Sequence, residues 1–237
     1  ALSPHLVTFE VLDEEGKGPA MAIGAAITHD LIPSEIGTMA QVQCVSEAVR
    51  KTVGSAGIYN TEDVHFVQIK CPLLTSDRIA MSEIQTATRD TLKSMSLSRG
   101  ASALGVAVGL GEIDMKTAQQ ALRDADYTIW SGRASTSAGV ELMGHEILVL
   151  GMSTSWCGPL LVDHAIMADA IDTKPVQSAM DRLEIASKNA LRAVFAKAEA
   201  STNGHIRGHR HTMLNDSDIS STRHARALVG GALAGLL

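Results

Sequence analysis

A chain of 237 residues with 45% apolar and 19% charged side chains carries enough material for one large globular domain or two ordinary ones. A net charge of −6 without any basic run excludes an electrostatic nucleic-acid footprint, and the longest uncharged apolar run, Ala227 to Leu237, is too short to span a bilayer and reads as a core helix. Aromatic residues are scarce, so the core must be built from Ala, Val, Ile, Leu and Met, which favours helices packed closely on sheets.

No charged segment followed by an apolar run opens the chain, so no signal peptide is read there. The three cysteines, Cys44, Cys71 and Cys157, are far apart and odd in number; they read as buried thiols of a reducing, cytoplasmic compartment. In chain order, Leu6 to Val11 reads as a short extended piece and Ala20 to Thr28 as a buried strand. Val42, Val45, Val49 and Val53 recur at helical spacing, with Gly54 as the stop. Val64 to Lys70 alternates as a strand, and Arg78 to Met95 reads as a helix. A further helix starting at Arg99 is so rich in Ala and Gly that it must pack tightly, and its arginine stands unfavourably against the N-terminal dipole. Asp114 is the expected N-cap of a helix running to about Asp124. Apolar runs at Tyr127 to Trp130 and Ile147 to Leu150 then flank a small-residue turn, Ala134-Ser135-Thr136-Ser137-Ala138-Gly139-Val140-Glu141. A serine in such a turn can be an exposed nucleophile beside backbone N–H groups aimed at an oxyanion.

The second half of the chain echoes the first. Ala22 to Thr28 resembles Val149 to Thr154 in residue type, aligning Gly24 with Gly151. Phe66 to Lys70 lines up at the same offset with Ala193 to Lys197, and Ser98 to Leu104 with Thr222 to Leu228 at a slightly shorter one. Such long units should each be a small α/β layer. Leu183 to Ala200 looks helical by composition, but the alignment with Lys70 makes Ala193 to Lys197 a strand. Each repeat then offers a lysine at a strand end and an arginine at a helix start, while the serine turn is visible only once.

Several runs resemble the cyanuric acid hydrolase/barbiturase family: His65 to Thr75, Ser98 to Gly105, Ser137 to Glu141, Phe195 to Ser201, Arg210 to Leu214, and Ser217 to Ile219 continuing through Ala227. The resemblance covers essentially the whole chain. It implies ring-opening amidohydrolases of an α/β class, with three homologous repeats of sheet and outer helices around a pseudo-threefold axis, a central β-barrel and a homotetrameric assembly. It also implies a first segment (1–18) leading out of an absent first repeat, a second repeat (19–145), and a third (146–237) that stops before its serine turn.

By the same resemblance, Lys70 is the catalytic lysine and Ser137 the nucleophile, with Ala138 supplying a backbone N–H beside it. Arg99 and Arg223 are substrate-binding arginines, and Lys197 is the lysine of the third repeat. Glu199 helps hold a structural divalent cation, usually magnesium, and no organic cofactor is implied. The expected reaction is opening of cyanuric acid to carboxybiuret and then biuret, or of barbituric acid to ureidomalonate. The partner is a small molecule, with neither nucleic acid nor membrane.

Lysine serves as a base only when neutral, and burial together with positive neighbours favours that state. Ser–Lys pairing is a variant of the serine triad. Two rival readings remain open. His205, His209, His211, Asp216 and Asp218 are close enough in sequence to ligate a zinc ion, although their spacing fits no zinc motif. The chain could otherwise be a repeat scaffold in which its lysines and glycines only solvate and pack.

Overall fold

The alternation in Val64 to Lys70 does form a strand, and it runs two residues further, as β2 (Val64–Pro72). The computed structural model describes residues 6–13, 15–126, 128–185, 190–198, 204–211 and 221–237, with side chains of the last helix described from residue 227 onward. Two units are delimited by internal contacts: residues 15–162, and residues 1–14 with 163–237.

The larger unit is a mixed α/β layer. Its four-stranded sheet has the order β1-β4-β2-β3, from β1 (Ala20–Ile27), β3 (Ala134–Gly139), β4 (Glu146–Ser153) and β2. β4 runs antiparallel to both β1 and β2, whereas β3 lies parallel to β2. A parallel pair requires a crossover. Here it contains α2 (Ser76–Ala80), α3 (Thr91–Gly109) and α4 (Met115–Asp124).

Helix α1 (Met39–Ser55) begins at Thr38, whose hydroxyl accepts from the Ala40 N–H, and buries the predicted stripe Val42, Val45, Val49 and Val53. Val45, Val49 and Val53 meet Val64, Val67, Ile69 and Val149 of the sheet with Val106 of α3 and its C-cap Leu110, and Val42 packs with Ala101, Leu104 and Val108 of α3, so α1 and α3 cover one face together. The expected tight packing of the Ala/Gly-rich helix is present. A Cβ on Gly105 would stand 2.6 Å from Val45 Cβ and 2.9 Å from the Val42 carbonyl oxygen.

Several local expectations are corrected. Gly54 does not stop α1; the helix continues to Ser55, is capped by Ala56, and reverses at Gly57 with φ +68°. The helix expected over Arg78 to Met95 is broken. Its polar middle satisfies its own backbone: Ser82 Oγ donates to the Ile84 carbonyl, Thr86 Oγ1 to that of Thr88, and the Asp90 N–H to Thr88 Oγ1. Asp90 then caps α3 by accepting from the Lys93 N–H, which leaves Arg99 in the helix interior, away from the N-terminal dipole. Asp114 is the N-cap expected, accepting from the Thr117 N–H at 2.7 Å.

The serine-containing stretch is not a turn. Ala134–Gly139 is an edge strand, and the reversal falls after it, between residues 140 and 145. The apolar run before it does not form a strand at Thr128 to Trp130, because Asp126 Oδ1 accepts from both the Thr128 N–H and its hydroxyl. Tyr127 lies outside the described residues.

In the smaller unit, Leu6 to Val11 is exposed and not a strand, although the Phe9 ring stands 6.4 Å from that of Phe195. Helix α5 (Lys174–Arg182) is tied by Arg182 to the Asp163 carboxylate at 2.7 Å. Residues 193–197 are neither helix nor strand and are exposed, so the strand inferred from the alignment with Lys70 is absent. No strand among the described residues pairs with it, so no ladder holds it extended. A short hairpin, β5 (His205–Ile206) and β6 (His209–Arg210), precedes α6 (Ser221–Leu236), which contains the expected core helix and buries Val229 and Leu233. No described helix is long and apolar enough to cross a membrane.

Candidate active site

Lys70 and Ser137 are direct partners in the β2–β3 register. Neighbouring strands lie about 4.8 Å apart, and laterally paired residues project from the same face. That face is the one opposite α1 and α3: two residues earlier, Ser135 Oγ donates to Gln68 Oε1 at 2.7 Å across the same pair of strands. Val67, Ile69 and Cys71 alternate with these residues and point into the helix-covered core. The parallel pair thus ends with a lysine and a serine at paired positions on one face, at the carboxyl end of the strands where α/β sheets commonly bind ligands.

A hollow of about 600 Å³ lies on this open face, lined among others by Ala25, Ile27, Gln68, Lys70, Glu146 and Leu148. It extends from β2 over β4 to β1 and does not include Ser137, so the Lys70–Ser137 pair stands at its rim.

The Lys70 side chain is one-third exposed, less buried than expected of a neutral amine. Its Nζ lies 2.7 Å from Glu141 Oε1. The hydrogen bond from Lys70, together with one from its own backbone, holds the Glu141 carboxyl below the usual carboxylate range. Glu141 belongs to the stretch that the sequence singled out, but only the fold shows its function as the partner of Lys70. Gly139 makes room for it, since a Cβ there would fall on the Glu141 carboxylate. Arg78 closes the end of the site, donating to the Leu73 carbonyl at 2.7 Å and the Val140 carbonyl at 2.8 Å.

Behind the pair lies a buried polar network that sequence reasoning missed. Gln41 Nε2 contacts Ser98 Oγ, Ser102 Oγ and the His145 Nε2, all within 3.0 Å, while its Oε1 accepts from the Gly37 N–H. Ser98 Oγ donates to the Pro72 carbonyl at 2.6 Å, joining α3 to the end of β2. His145 Nδ1 meets Thr28 Oγ1 at 3.0 Å. Burial first, and His29 second, push the His145 imidazole down to about 4, so it is neutral near pH 7. The available signal was Gln41 itself, a polar residue four positions before Val45 on an otherwise apolar stripe.

Arg99 follows Ser98 on α3 and is half-buried; with Lys70 it acts electrostatically on the buried Cys71 thiol, whose pKa burial raises. Arg99 therefore stands at the same end of β2 as Lys70. Ala138, beside Ser137, is in the ladder opposite Cys71. Lys197 is exposed in the smaller unit, Arg223 is in the first turn of α6 with its side chain undescribed, and Glu199 lies outside the described residues. The cysteines make no disulfide; Cys71 is buried, but Cys44 is only partly so and Cys157 is exposed, against the expectation of three buried thiols.

For the zinc reading, His205 and His209 occupy adjoining positions in the hairpin, where His209 pairs with Ile206. Strand alternation therefore turns the two rings to opposite faces. Asp216 and Asp218 lie outside the described residues.

From residue 1 to residue 237 the chain matches the family described as amidohydrolase ring-opening protein. A curated relative from Azorhizobium caulinodans, named cyanuric acid amidohydrolase, is 55% identical over 241 residues, covering 100% of this chain and 67% of the relative. Another of that name from a Bradyrhizobium species is 51% identical, with 100% and 68% covered. The solved cyanuric acid hydrolase of A. caulinodans superposes with a TM-score of 0.78 at 54% identity, over 94% of this chain and 64% of that one. A second solved cyanuric acid hydrolase, described as evolutionary innovation by structural concatenation, gives 0.83 at 42% identity, over 95% and 64%. The chain thus spans about two thirds of the length of these relatives. By sequence along its full length, and by fold over nearly all of it, the chain belongs to the ring-opening amidohydrolase family.

Proposed function

We propose that this chain carries a nucleophile–base set of a hydrolase that opens cyanuric acid, with Ser137 as nucleophile and Lys70 as base. The observation that carries this reading is the register pairing of Lys70 with Ser137 on the open face of a parallel strand pair. The names of the relatives supply the substrate class.

In the proposed reaction Lys70 acts in its neutral form, which the Glu141 carboxylate opposes, and takes the Ser137 hydroxyl proton as Oγ bonds to a ring carbonyl carbon. Collapse of the tetrahedral intermediate breaks the ring C–N bond, and the proton passes from Lys70 to the departing nitrogen. Water then hydrolyses the serine ester, releasing carboxybiuret, which loses carbon dioxide to give biuret. The Ala138 N–H is assigned to the developing oxyanion, and Arg99 and Arg223 to the remaining carbonyl oxygens through paired donors. Lys197 is assigned to an equivalent position in a third repeat. Glu199 would help hold a magnesium ion of structural role, and no step is routed through that ion.

The repeat division at residues 1–18, 19–145 and 146–237, the pseudo-threefold barrel, the homotetramer and a cytoplasmic location belong to the same proposal. Its support is the internal sequence match of Gly24 with Gly151 and Lys70 with Lys197, together with the family. Three similar repeats would suit a threefold-symmetric ring.

The test is a product assay on the whole protein with cyanuric and barbituric acids side by side, using Ser137→Ala beside the wild type. Ring opening of cyanuric acid that vanishes in the variant is the expected result. Undiminished turnover by Ser137→Ala would remove the nucleophile, and preference for barbituric acid would replace the substrate.

A further inference from the structure

We infer that Glu141 is a positioning residue for the proposed Ser137–Lys70 pair, holding the lysine amine at the end of β2 beside the serine. This inference rests on the hydrolase reading above and adds to it a residue with a separate job.

A lysine stem has four rotatable bonds, each with staggered wells, so an unanchored amine spends little time at any one point. Two carboxylates are within reach by topology. Glu146 is the register partner of Lys70 on β4, yet it is exposed and makes no ion pair among the described residues. The amine turns instead to Glu141, at 2.7 Å. Register places Ser137 on the β3 side of Lys70 and Glu146 on the β4 side. Choosing Glu141 therefore draws the amine toward the strand that bears the serine.

An ion pair this exposed contributes little to folding, but three features fit it for positioning. The carboxylate reaches Lys70 by lying over Gly139; a Cβ at that position would stand 2.5 Å from Glu141 Cδ and 2.6 Å from Oε1. The backbone that presents it is held by Arg78, which links Val140 to Leu73 beyond β2. The rest of the reversal is anchored by Leu31 N–H to the Met143 carbonyl at 2.9 Å and by His145 N–H to Thr28 Oγ1 at 2.9 Å. Both strand ends and the carboxylate thus share one frame. The charged groups on the Lys70 side of the sheet are Glu141 from the reversal and Glu146 from β4, while Arg99 of α3 and Lys70 both act on the Cys71 thiol.

The test uses the whole protein with cyanuric acid as substrate, comparing Glu141→Ala, Glu141→Gln and Gly139→Ala with the wild type and with Ser137→Ala. Glu141→Ala should lower kcat by about tenfold or more, with KM changed by less than about threefold, because a misplaced base costs turnover and not ground-state binding. Glu141→Gln keeps an acceptor oxygen at the same reach and should recover most of the loss. Gly139→Ala leaves Glu141 intact but evicts its carboxylate, a flexible side-chain end, so it should reproduce the Glu141→Ala defect without lowering Tm.

A Glu141→Ala enzyme with wild-type kcat, alongside inactive Ser137→Ala, overturns this inference and leaves the hydrolase reading standing. Equal defects in Glu141→Gln and Glu141→Ala, with Gly139→Ala unaffected, overturn it as well. Activity in Ser137→Ala would instead overturn the reading on which it rests.

Discussion

The two faces of the four-stranded sheet are built from the same strands and serve opposite ends. On the covered face, Val67, Ile69 and Val149 lie under α1 and α3 with no solvent exposure. On the other, Gln68, Lys70, Ser135 and Ser137 stand at alternating positions of β2 and β3; Ser135 bonds to Gln68 and is buried, Lys70 pairs with Glu141, and Gln68, Lys70 and Ser137 are partly open. Since side chains alternate at period two, a slip of one residue would bury the lysine and expose the core. The fold can therefore leave a lysine and a serine on an open face because the covered face supplies the stability. Even the polar atoms on the covered side, at Gln41, Ser98 and His145, are satisfied among themselves.

This division predicts that substitutions on the open face change activity and spare stability, with the reverse on the covered face. The largest effect is expected for Ser137→Ala or Lys70→Ala, which should lower kcat about 10³-fold or more while the thermal midpoint stays near wild type. A parallel collapse of Tm would break the comparison.

The next effect is on pH-dependent stability. The folded His145 is held at about 4 against an ordinary value of 6.5, so between those values the unfolded chain binds the extra proton. Its contribution to stability is therefore complete above about pH 6.5 and is lost as pH falls toward 4, amounting to about 3 kcal/mol at most. Urea midpoints followed from pH 7 to pH 4 should fall more steeply in the wild type than in His145→Gln; equal slopes would remove His145 as the titrating group.

Gly105→Val comes third. The new side chain meets Val45 and the Val42 carbonyl, and should destabilise by about 2 kcal/mol with kcat intact. Smallest is Asp90→Ala, which removes the cap of α3 and should cost about 1 kcal/mol. Chemical denaturation reads both. If either lowered kcat while leaving stability alone, the two faces would not be separable.

Much of the covered face was legible beforehand. The valine stripe of α1, the strand at Val64, the Asp114 cap and the crowded Ala/Gly helix follow from spacing and residue volume, which are local properties. The failures have both local and long-range origins. Ser, Thr and Asp residues between Ser82 and Asp90 bond to nearby backbone and break a helix that apolar spacing alone would continue. Small polar residues at Ala134 to Gly139 read as a turn, because no local signal shows that Gln68 waits across the ladder to satisfy Ser135. The strand expected at Ala193 to Lys197 rested on an alignment, and among the described residues that segment finds no strand partner.

At the candidate site, Lys70, Ser137 and Arg99 were nominated by the family resemblance of their motifs. Their arrangement was not readable, because register is set by long-range pairing and a lysine stem can point to many places. By itself the sequence determined which residues could form helices and strands, the apolar stripe that must be buried, and the chemical groups available for a hydrolase. Only the tertiary structure decided that β3 lies parallel to β2 with Ser137 opposite Lys70, that Glu141 folds over Gly139 to reach the amine, and that Gln41 and His145 close a polar network behind them. Those outcomes depend on contacts between residues far apart in the chain, whose free energies no local pattern encodes.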